Sequence, residues 1–133
     1  MDRVIIEKLP ETKEVDGVKR WNEERGEFAQ ISYREDIGHV AVFELKQGHS
    51  RGSHFHKEKE EVFYIVSGKI RAIFMDIDTK EREEHILEKG HKIRVETGVA
   101  HIFYGLNDAL VVEYSPQYYD KRDAYPVNFE NIS

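Results

Sequence analysis

Short apolar runs alternate with turn residues along most of the chain. From Glu27 onward, β-branched and aromatic residues recur in short runs, and Gly- or Asp-containing turns separate them roughly every 8–12 residues. This spacing is typical of antiparallel strands in a sandwich or barrel. The predicted strands cover residues 28–33, 40–45, 62–66, 70–77, 85–87, 93–95, 102–104 and 110–114.

The faces of these strands differ in polarity. In the strand at 40–45, one face carries Ala41, Phe43 and Leu45 and the other carries Val40, Val42 and Glu44. Residues 62–66 are instead apolar on both faces, as expected for a strand buried between two sheets. Residues 80–88 are charged enough for a surface helix, but nine residues between a turn and a glycine favour a strand. No long segment has helical periodicity, so we predict an all-β fold.

The segments before and after the predicted barrel strands are also expected to be structured. Residues 4–6 predict an opening strand, and residues 19–25 predict a charged loop or hairpin. The aromatic and charged tail, residues 118–133, is expected to fold back over the barrel. We predict one domain over residues 1–133, with the barrel core at about 40–114, an N-terminal part over 1–26 and a tail over 115–133.

The amino-acid composition excludes several classes of site and partner. The 133 residues include no cysteine, which excludes disulfides, thiolate catalysis and zinc–thiolate sites. The net charge is −6 and the basic residues are interleaved with acidic ones, so nucleic acid is not an expected partner. No apolar run reaches the roughly 18 residues of a membrane span, and no signal peptide is apparent. A cytoplasmic location is expected, and the abundance of Glu, Lys and Arg favours a thermophilic source.

Two histidines and a glutamate stand out. His54 and His56 are two residues apart, so on a strand both imidazoles leave the same face. Glu61 shares a strand face with Phe63 and Ile65, which puts a carboxylate at the head of an inward apolar row. A buried charge is costly unless it is paired or bound to a cation. A divalent ion held by the two imidazoles would compensate it.

The spacing of these residues resembles the cupin superfamily. The first cupin motif, G-x5-H-x-H-x4-E-x6-G, is matched without deviation by Gly48, His54, His56, Glu61 and Gly68. The second motif, G-x5-P-x-G-x2-H-x3-N, is matched by Gly90, Gly98 and His101, while Glu96 and Gly105 replace the Pro and Asn. The resemblance implies a double-stranded β-helix (jelly-roll) barrel of two antiparallel sheets.

The resemblance also implies a metal site. Cupins hold one divalent metal with residues that correspond here to His54, His56, Glu61 and His101. Three imidazoles and one carboxylate suit Mn, Fe, Ni, Zn or Co and do not choose among them. The alternative is a metal-free barrel in which these side chains hydrogen-bond each other or water. The remaining histidines, His39, His49, His85 and His91, are expected in loops or in solvent.

The residues around the histidine pair resemble a narrower group. The segment from Arg51 to Lys57 is similar to RGxHxHK in cupins that act on nucleotide sugars, the 3,4-ketoisomerases and their polysaccharide-biosynthesis relatives. In those ketoisomerases the two histidines are acid/base groups and no metal is needed. The resemblance therefore makes His54 and His56 catalytic candidates, although Glu61 completes a metal set that those enzymes often lack.

These observations lead to an expected activity with open alternatives. The expected enzyme is a metal-dependent isomerase or epimerase of a sugar or sugar nucleotide. Arg51 and Lys57 would bind phosphate, and Tyr114 would line or fill the pocket. A mononuclear metal dioxygenase and a non-catalytic ligand-binding cupin remain alternatives. Apolar surface at residues 4–6 and in the tail suggests a homodimer.

Overall fold

The computed structural model describes residues 1–118 and 120–129, and within them nearly all regular structure is strand. The strands are β1 (Val4–Lys8), β2 (Lys19–Glu23), β3 (Gly26–Gln30), β4 (His39–Leu45), β5 (Ser50–Phe55), β6 (Glu61–Ser67), β7 (Lys69–Asp76), β8 (Arg82–Glu88), β9 (His91–Val95), β10 (Val99–Gly105), β11 (Ala109–Ser115) and β12 (Tyr125–Pro126). A 3-10 turn covers Lys121–Asp123. None of the described helices has the length and hydropathy of a membrane span.

Two antiparallel five-stranded sheets form the body of the fold. The first has the order β1-β9-β6-β11-β4, and the second has the order β12-β5-β10-β7-β8. Strands that follow one another in the chain mostly lie in different sheets, as in a jelly roll. The predicted double-stranded β-helix of two antiparallel sheets is confirmed, and the charged segment before Gly90 is the strand β8.

The core lies between the two sheets because each sheet turns one apolar row inward. On β4 the burial alternates along the strand, whereas β6 and β7 are buried on both faces over most of their length. Phe63, Phe74 and Phe103 are almost wholly buried and lie in one cluster with aliphatic residues from both sheets. The rings of Phe63 and Phe103 meet edge to face, with centroids 4.9 Å apart.

The N-terminal segment completes the first sheet. Strand β1 pairs antiparallel with β9, with Val4 opposite Val95 and Ile6 opposite Ile93. Val4 is buried and Ile6 packs against the core, whereas Ile5 is half exposed, so only part of the apolar surface that suggested a dimer is spare here. The predicted charged hairpin is present as β2 and β3, with Trp21 stacked on Phe28 at 4.5 Å between ring centroids.

The tail folds back over the second sheet, as predicted for its described part. Strand β12 pairs with β5, placing Tyr125 opposite Phe55, and Val127 N–H donates to the Ser53 carbonyl at 2.7 Å. Phe129 enters a second apolar cluster with residues of β7 and β10. The remaining tail positions of the prediction, residue 119 and residues 130–133, lie outside the described residues.

A loop covers the outer face of the first sheet through Glu35. The Tyr114 hydroxyl donates to Glu35 Oε1 at 2.6 Å, and Ser32 Oγ donates to the same oxygen at 3.0 Å. Lys92 Nζ lies 3.3 Å from that oxygen, and Arg94 donates to Oε2. Burial opposes ionisation here, but these donors together lower the pKa of Glu35 to about 2.

Candidate active site

A strand pairing brings two of the predicted histidines together. β5 and β10 are antiparallel neighbours, and His54 lies directly opposite His101. A bulge follows this pair, where Gly52 has φ 109°. A Cβ at Gly52 would stand 2.7 Å from the His101 carbonyl oxygen, so only glycine fits this close approach. The imidazole centroids of His54 and His101 are 4.9 Å apart.

Glu61 reaches the histidines from the opposite sheet. It begins β6, is 5% exposed, and precedes Phe63 and Ile65 in the inward row that the sequence predicts. Its Oε1 lies 3.0 Å from His56 Nε2 and 3.8 Å from His101 Nδ1. Four side chains from two sheets therefore converge: both motifs contribute to one site.

His56 is oriented by the tail. Its Nδ1 lies 2.7 Å from the Asp123 carbonyl oxygen, and because a carbonyl only accepts, Nδ1 carries the proton and donates it. The Asp123 carboxylate accepts hydrogen bonds from the backbone N–H groups of residues 57–59. These contacts fix the ring so that Nε2 points toward Glu61, and they link the 3-10 turn to the site.

The pKa values of the three histidines differ in the direction of their shifts. Burial lowers the pKa of His101 to about 4 despite the attraction of Glu61, and burial also lowers the pKa of His54. Both imidazoles are thus kept neutral at physiological pH, with a lone pair to offer. For His56, burial would lower the pKa, but the contact with Glu61 and the Asp123 carbonyl outweigh it and raise the pKa.

Glu61 is ionised in spite of its burial. Burial would raise its pKa, but His101, His56 and Lys59 outweigh this and lower the pKa to about 2. Lys59 Nζ lies 3.6 Å from Oε2 and is itself buried. Because His101 is neutral above about pH 4, its charge contributes only in acid. At neutral pH the ionised form of Glu61 rests on His56 and Lys59.

The donor set fits a divalent metal. One ligand atom each from His54, Glu61 and His101 can be chosen so that all lie within 4.8 Å of one another. His56 Nε2 and His101 Nδ1 are buried and, among the described residues, have no well-aligned hydrogen-bond partner. Orphaned buried nitrogens beside a carboxylate are what a metal would satisfy. His56 contacts Glu61 but does not belong to this group of three possible ligands.

A cavity of about 350 Å³ opens onto these residues. Aromatic rings form its apolar wall, and charged groups stand among the rest of its lining. The lining residues are His39, Phe43, Arg51, Gly52, His54, His56, Lys59, Glu61, Phe63, His101, Phe103, Glu113 and Ala124. Its size and its mixed lining are those of a site for a small polar molecule.

Of the three predicted substrate contacts, the structure brings only Arg51 to this cavity. The Arg51 guanidinium lies over the Phe43 ring at 5.2 Å. Lys57 is exposed and its Nζ lies over the Tyr125 ring at 4.4 Å, away from the lining. Tyr114 faces outward, since its hydroxyl binds Glu35. The expectation that Tyr114 lines the pocket placed the inward row of β11 on the wrong face.

Four further residues of the site were not anticipated from the sequence. Lys59 and Glu113 line the cavity, Asp123 orients His56, and His39, expected in solvent, also lines the cavity. Lys59 is two residues before Glu61, so it could have been found by extending the inward row of Glu61, Phe63 and Ile65 two residues toward the N-terminus. No local signal identifies Asp123, because its role depends on where the tail lies.

Known proteins resemble this chain in family and in fold. The family model described as polysaccharide biosynthesis C-terminal domain matches residues 21–124. A UDP-2-acetamido-2,6-beta-L-arabino-hexul-4-ose reductase from Pseudomonas aeruginosa is 30% identical in an alignment of 120 residues that covers 86% of this chain. The chain spans only about a third (32%) of the length of that relative.

Two solved structures show the same fold at low identity. A dTDP-4-dehydrorhamnose 3,5-epimerase from Sulfolobus tokodaii has a TM-score of 0.79 at 19% identity, covering 98% of this chain and 80% of its own. A 3,4-ketoisomerase from Thermoanaerobacterium thermosaccharolyticum, in complex with TDP, has a TM-score of 0.76 at 19% identity and covers 98% and 91%. At this identity the likeness concerns the fold.

Proposed function

The chain belongs to the polysaccharide biosynthesis C-terminal domain family, and we propose that it is an enzyme that isomerises or epimerises a keto sugar carried on a nucleotide, using a divalent metal. The observation that carries this proposal is the convergence of His54, His56, Glu61 and His101 at one cavity. The cavity of about 350 Å³ is of a size to take a sugar ring and leave the nucleotide at the mouth.

The metal would be held by His54, Glu61 and His101, the three residues whose donor atoms group most closely. Mn, Fe, Ni, Zn and Co all accept such nitrogen and oxygen ligands. When bound, the metal would supply Lewis-acid polarisation of a sugar carbonyl or hydroxyl. Neutral His101 and ionised Glu61 are already in the protonation states that ligation requires.

The protein's own groups would bind and transfer protons. Arg51, at the cavity, would bind the diphosphate through paired N–H donors. His56 would exchange a proton with the carbon next to the sugar carbonyl, because its Nδ1 is anchored and its Nε2 points to the site. Lys59, which is buried beside Glu61, would hold the negative charge of that carboxylate in place. Lys57, which was expected to bind phosphate with Arg51, is not included in the proposed site because it lies outside the cavity lining.

The names of the relatives support a keto-sugar nucleotide as the substrate class. The curated relative is named for a hexulose on UDP, and the two solved structures are named for a dTDP-sugar epimerase and a ketoisomerase. The match to the reductase covers a third of it, and this sequence contains no G-x-G-x-x-G nucleotide fingerprint. We therefore propose for this chain an action on the keto sugar that does not include hydride transfer.

Proton exchange in heavy water tests the proposal. Metal-loaded protein is incubated in D₂O with UDP- and dTDP-linked 4-keto-6-deoxyhexoses, and proton NMR follows the ring positions next to the ketone. We expect deuterium uptake and a new isomer, loss of both after chelation, and recovery on adding metal. Binding of the nucleotide sugar without exchange at any metal loading would contradict the enzyme and favour a ligand-binding protein.

A mononuclear iron dioxygenase is the second candidate. His54, Glu61 and His101 make up a two-histidine, one-carboxylate set, which is the ligand set of non-haem Fe(II) oxygenases. The same incubation in an oxygen electrode, with and without air, separates the two. The isomerase predicts equal turnover in both and no oxygen uptake, whereas strict dependence on oxygen would establish the second candidate.

A further inference from the structure

Glu113 is a second carboxylate on the inner face of the first sheet. On β11 it lies opposite Phe63 of β6 and Ala41 of β4. The inward residues before it, Ala109 and Val111, are buried in the apolar core. A carboxylate in such a row is destabilising unless something in the interior uses it. Glu113 is therefore the same kind of exception on β11 that Glu61 is on β6.

The two carboxylates differ in what they contact. Glu61 is close to His56, His101 and Lys59. Within residues 1–118 and 120–129, the Glu113 carboxylate makes no hydrogen bond and no ion pair. It is directed into the cavity, whose lining it shares with the histidines and Arg51. A polar group placed in this way is available to a bound molecule.

The charges that face Glu113 come from three directions. Glu61 of β6 and Lys59 just before it act from one side, His39 of β4 from the other, and His56 from beyond β5. Burial raises the pKa of Glu113, and the negative charge of Glu61 raises it further, while Lys59, His39 and His56 oppose the shift. The net shift favours a carboxyl group that can hold a proton closer to neutral pH than usual.

Glu113 and the histidine cluster are both neighbours of Phe63. Phe63 pairs with Glu113 across β6 and β11, and its ring lies 5.4 Å from that of His101. A sugar bound in this cavity against the Phe63 ring would therefore be within reach of both the imidazoles and the Glu113 carboxyl. Isomerisation of a keto sugar needs two groups so placed, one at carbon and one at oxygen.

Resting on the proposed function, we propose that Glu113 is a catalytic residue that transfers the oxygen-bound proton of the sugar. An imidazole of the cluster takes the proton from the carbon beside the ketone, and the C–H electron pair forms a C=C bond. The carbonyl π pair moves to oxygen, which takes the Glu113 proton and gives an enediol. In the reverse steps carbon regains a proton from the imidazole, and a hydroxyl proton returns to the Glu113 carboxylate.

The test compares Glu113→Gln with Glu113→Asp in the metal-loaded enzyme, with Glu7→Gln at an exposed position of β1 as the control. Glu113→Gln keeps the shape and removes the transferable proton, so we expect turnover to fall on the order of 10²–10⁴-fold. KM should change little. Activity of the unaltered enzyme should fall as pH rises through the Glu113 pKa, and this alkaline limb should be missing from the residual Glu113→Gln activity.

Further readouts separate this role from structural ones. Glu113→Asp should retain part of the activity together with the alkaline limb, and Glu7→Gln should behave as the unaltered enzyme. Thermal unfolding and metal stoichiometry of Glu113→Gln should be unchanged. Turnover within threefold of the unaltered enzyme, or loss of metal from Glu113→Gln, would overturn the role of Glu113 alone. Inactivity of the unaltered enzyme on every keto sugar would instead overturn the proposed function and this role with it.

Discussion

Glu35 and Glu61 are two acidic centres on opposite faces of the same sheet. Both carboxylates have cationic neighbours, and both have a pKa lowered to about 2. Glu35 joins a covering loop to Tyr114, Arg94 and Lys92 on the outer face. Glu61 meets His56, His101 and Lys59 on the inner face, at the cavity.

The two centres differ in whether the polar atoms around the carboxylate all have hydrogen-bond partners. Around Glu35 every donor named above is directed at the carboxylate, so the network is complete and holds the loop. Around Glu61, two buried imidazole nitrogens have no hydrogen-bond partner among the described residues. A depressed pKa is thus common to the structural centre at Glu35 and the proposed functional centre at Glu61, and the unsatisfied atoms distinguish the two.

The largest expected effect is that of Glu61→Gln. The amide removes the negative charge that would attract the metal, so metal-dependent turnover should fall on the order of a thousandfold, as loss of several kcal/mol of Lewis-acid stabilisation implies. Steady-state kinetics with added metal measures this. The matched change on the outer face, Glu35→Gln, should leave turnover within a few-fold, and equal losses in both variants would contradict the distinction.

Arg51→Ala should have the next largest effect. Loss of charge-assisted hydrogen bonds to a diphosphate, at about 1.5–3 kcal/mol, corresponds to a KM roughly 10- to 100-fold higher with a smaller change in kcat. Lys57→Ala is the control, since its ammonium lies over Tyr125 outside the cavity lining. If Lys57→Ala raised KM as much as Arg51→Ala, the assignment of the phosphate-binding side chain would be wrong.

Glu35→Gln should lower stability by about 1–3 kcal/mol at neutral pH, because it weakens charge-assisted hydrogen bonds to a partly buried group. The folded-state pKa of Glu35 is below its ordinary 4.5, so its contribution is complete above about pH 4.5 and is lost as the pH falls toward about 2. Urea unfolding at several pH values should show the difference from the unaltered protein shrinking over that window. A difference independent of pH would contradict the ionic network.

The smallest effect on the site is expected from Val42→Lys at the edge of the first sheet. Among the described strands β4 pairs only with β11, and its outward residues Val40 and Val42 are 59% and 61% exposed. We propose that a homodimer forms through this edge and face, where residues 4–6 were first expected to act. Light scattering should show a dimer that Val42→Lys converts to monomer, with metal binding retained. A monomeric unaltered protein would exclude this interface.

The inner-face cluster was predictable because its signals are local or belong to fixed motifs. His54 and His56 share a face by strand periodicity, and Glu61 interrupts an apolar row two positions before Phe63. The position of His101 depended on the second motif. The pairing of β5 with β10, which sets it opposite His54, follows from the fold and from no local pattern.

The errors arose where tertiary context decides which face is inner. On β11 both alternating rows begin with apolar residues, and Leu110, Val112 and Tyr114 form the bulkier row. The covering loop with Glu35 buries that row from outside, so Val111 and Glu113 point inward. Lys57 lies outside the cavity lining for a similar reason, because the chain leaves the strand after Phe55 and Asp123 binds the backbone of residues 57–59.

The most direct test of the central claim is a metal titration of the metal-free protein, since the account depends on one ion joining the two motifs. Calorimetry with Mn, Fe, Ni, Zn and Co salts should show one tight equivalent for at least one of them. His101→Ala should abolish it, and His49→Ala, outside the cavity lining, should not. Absence of binding by the unaltered protein, or equal binding by His101→Ala, would contradict the claim.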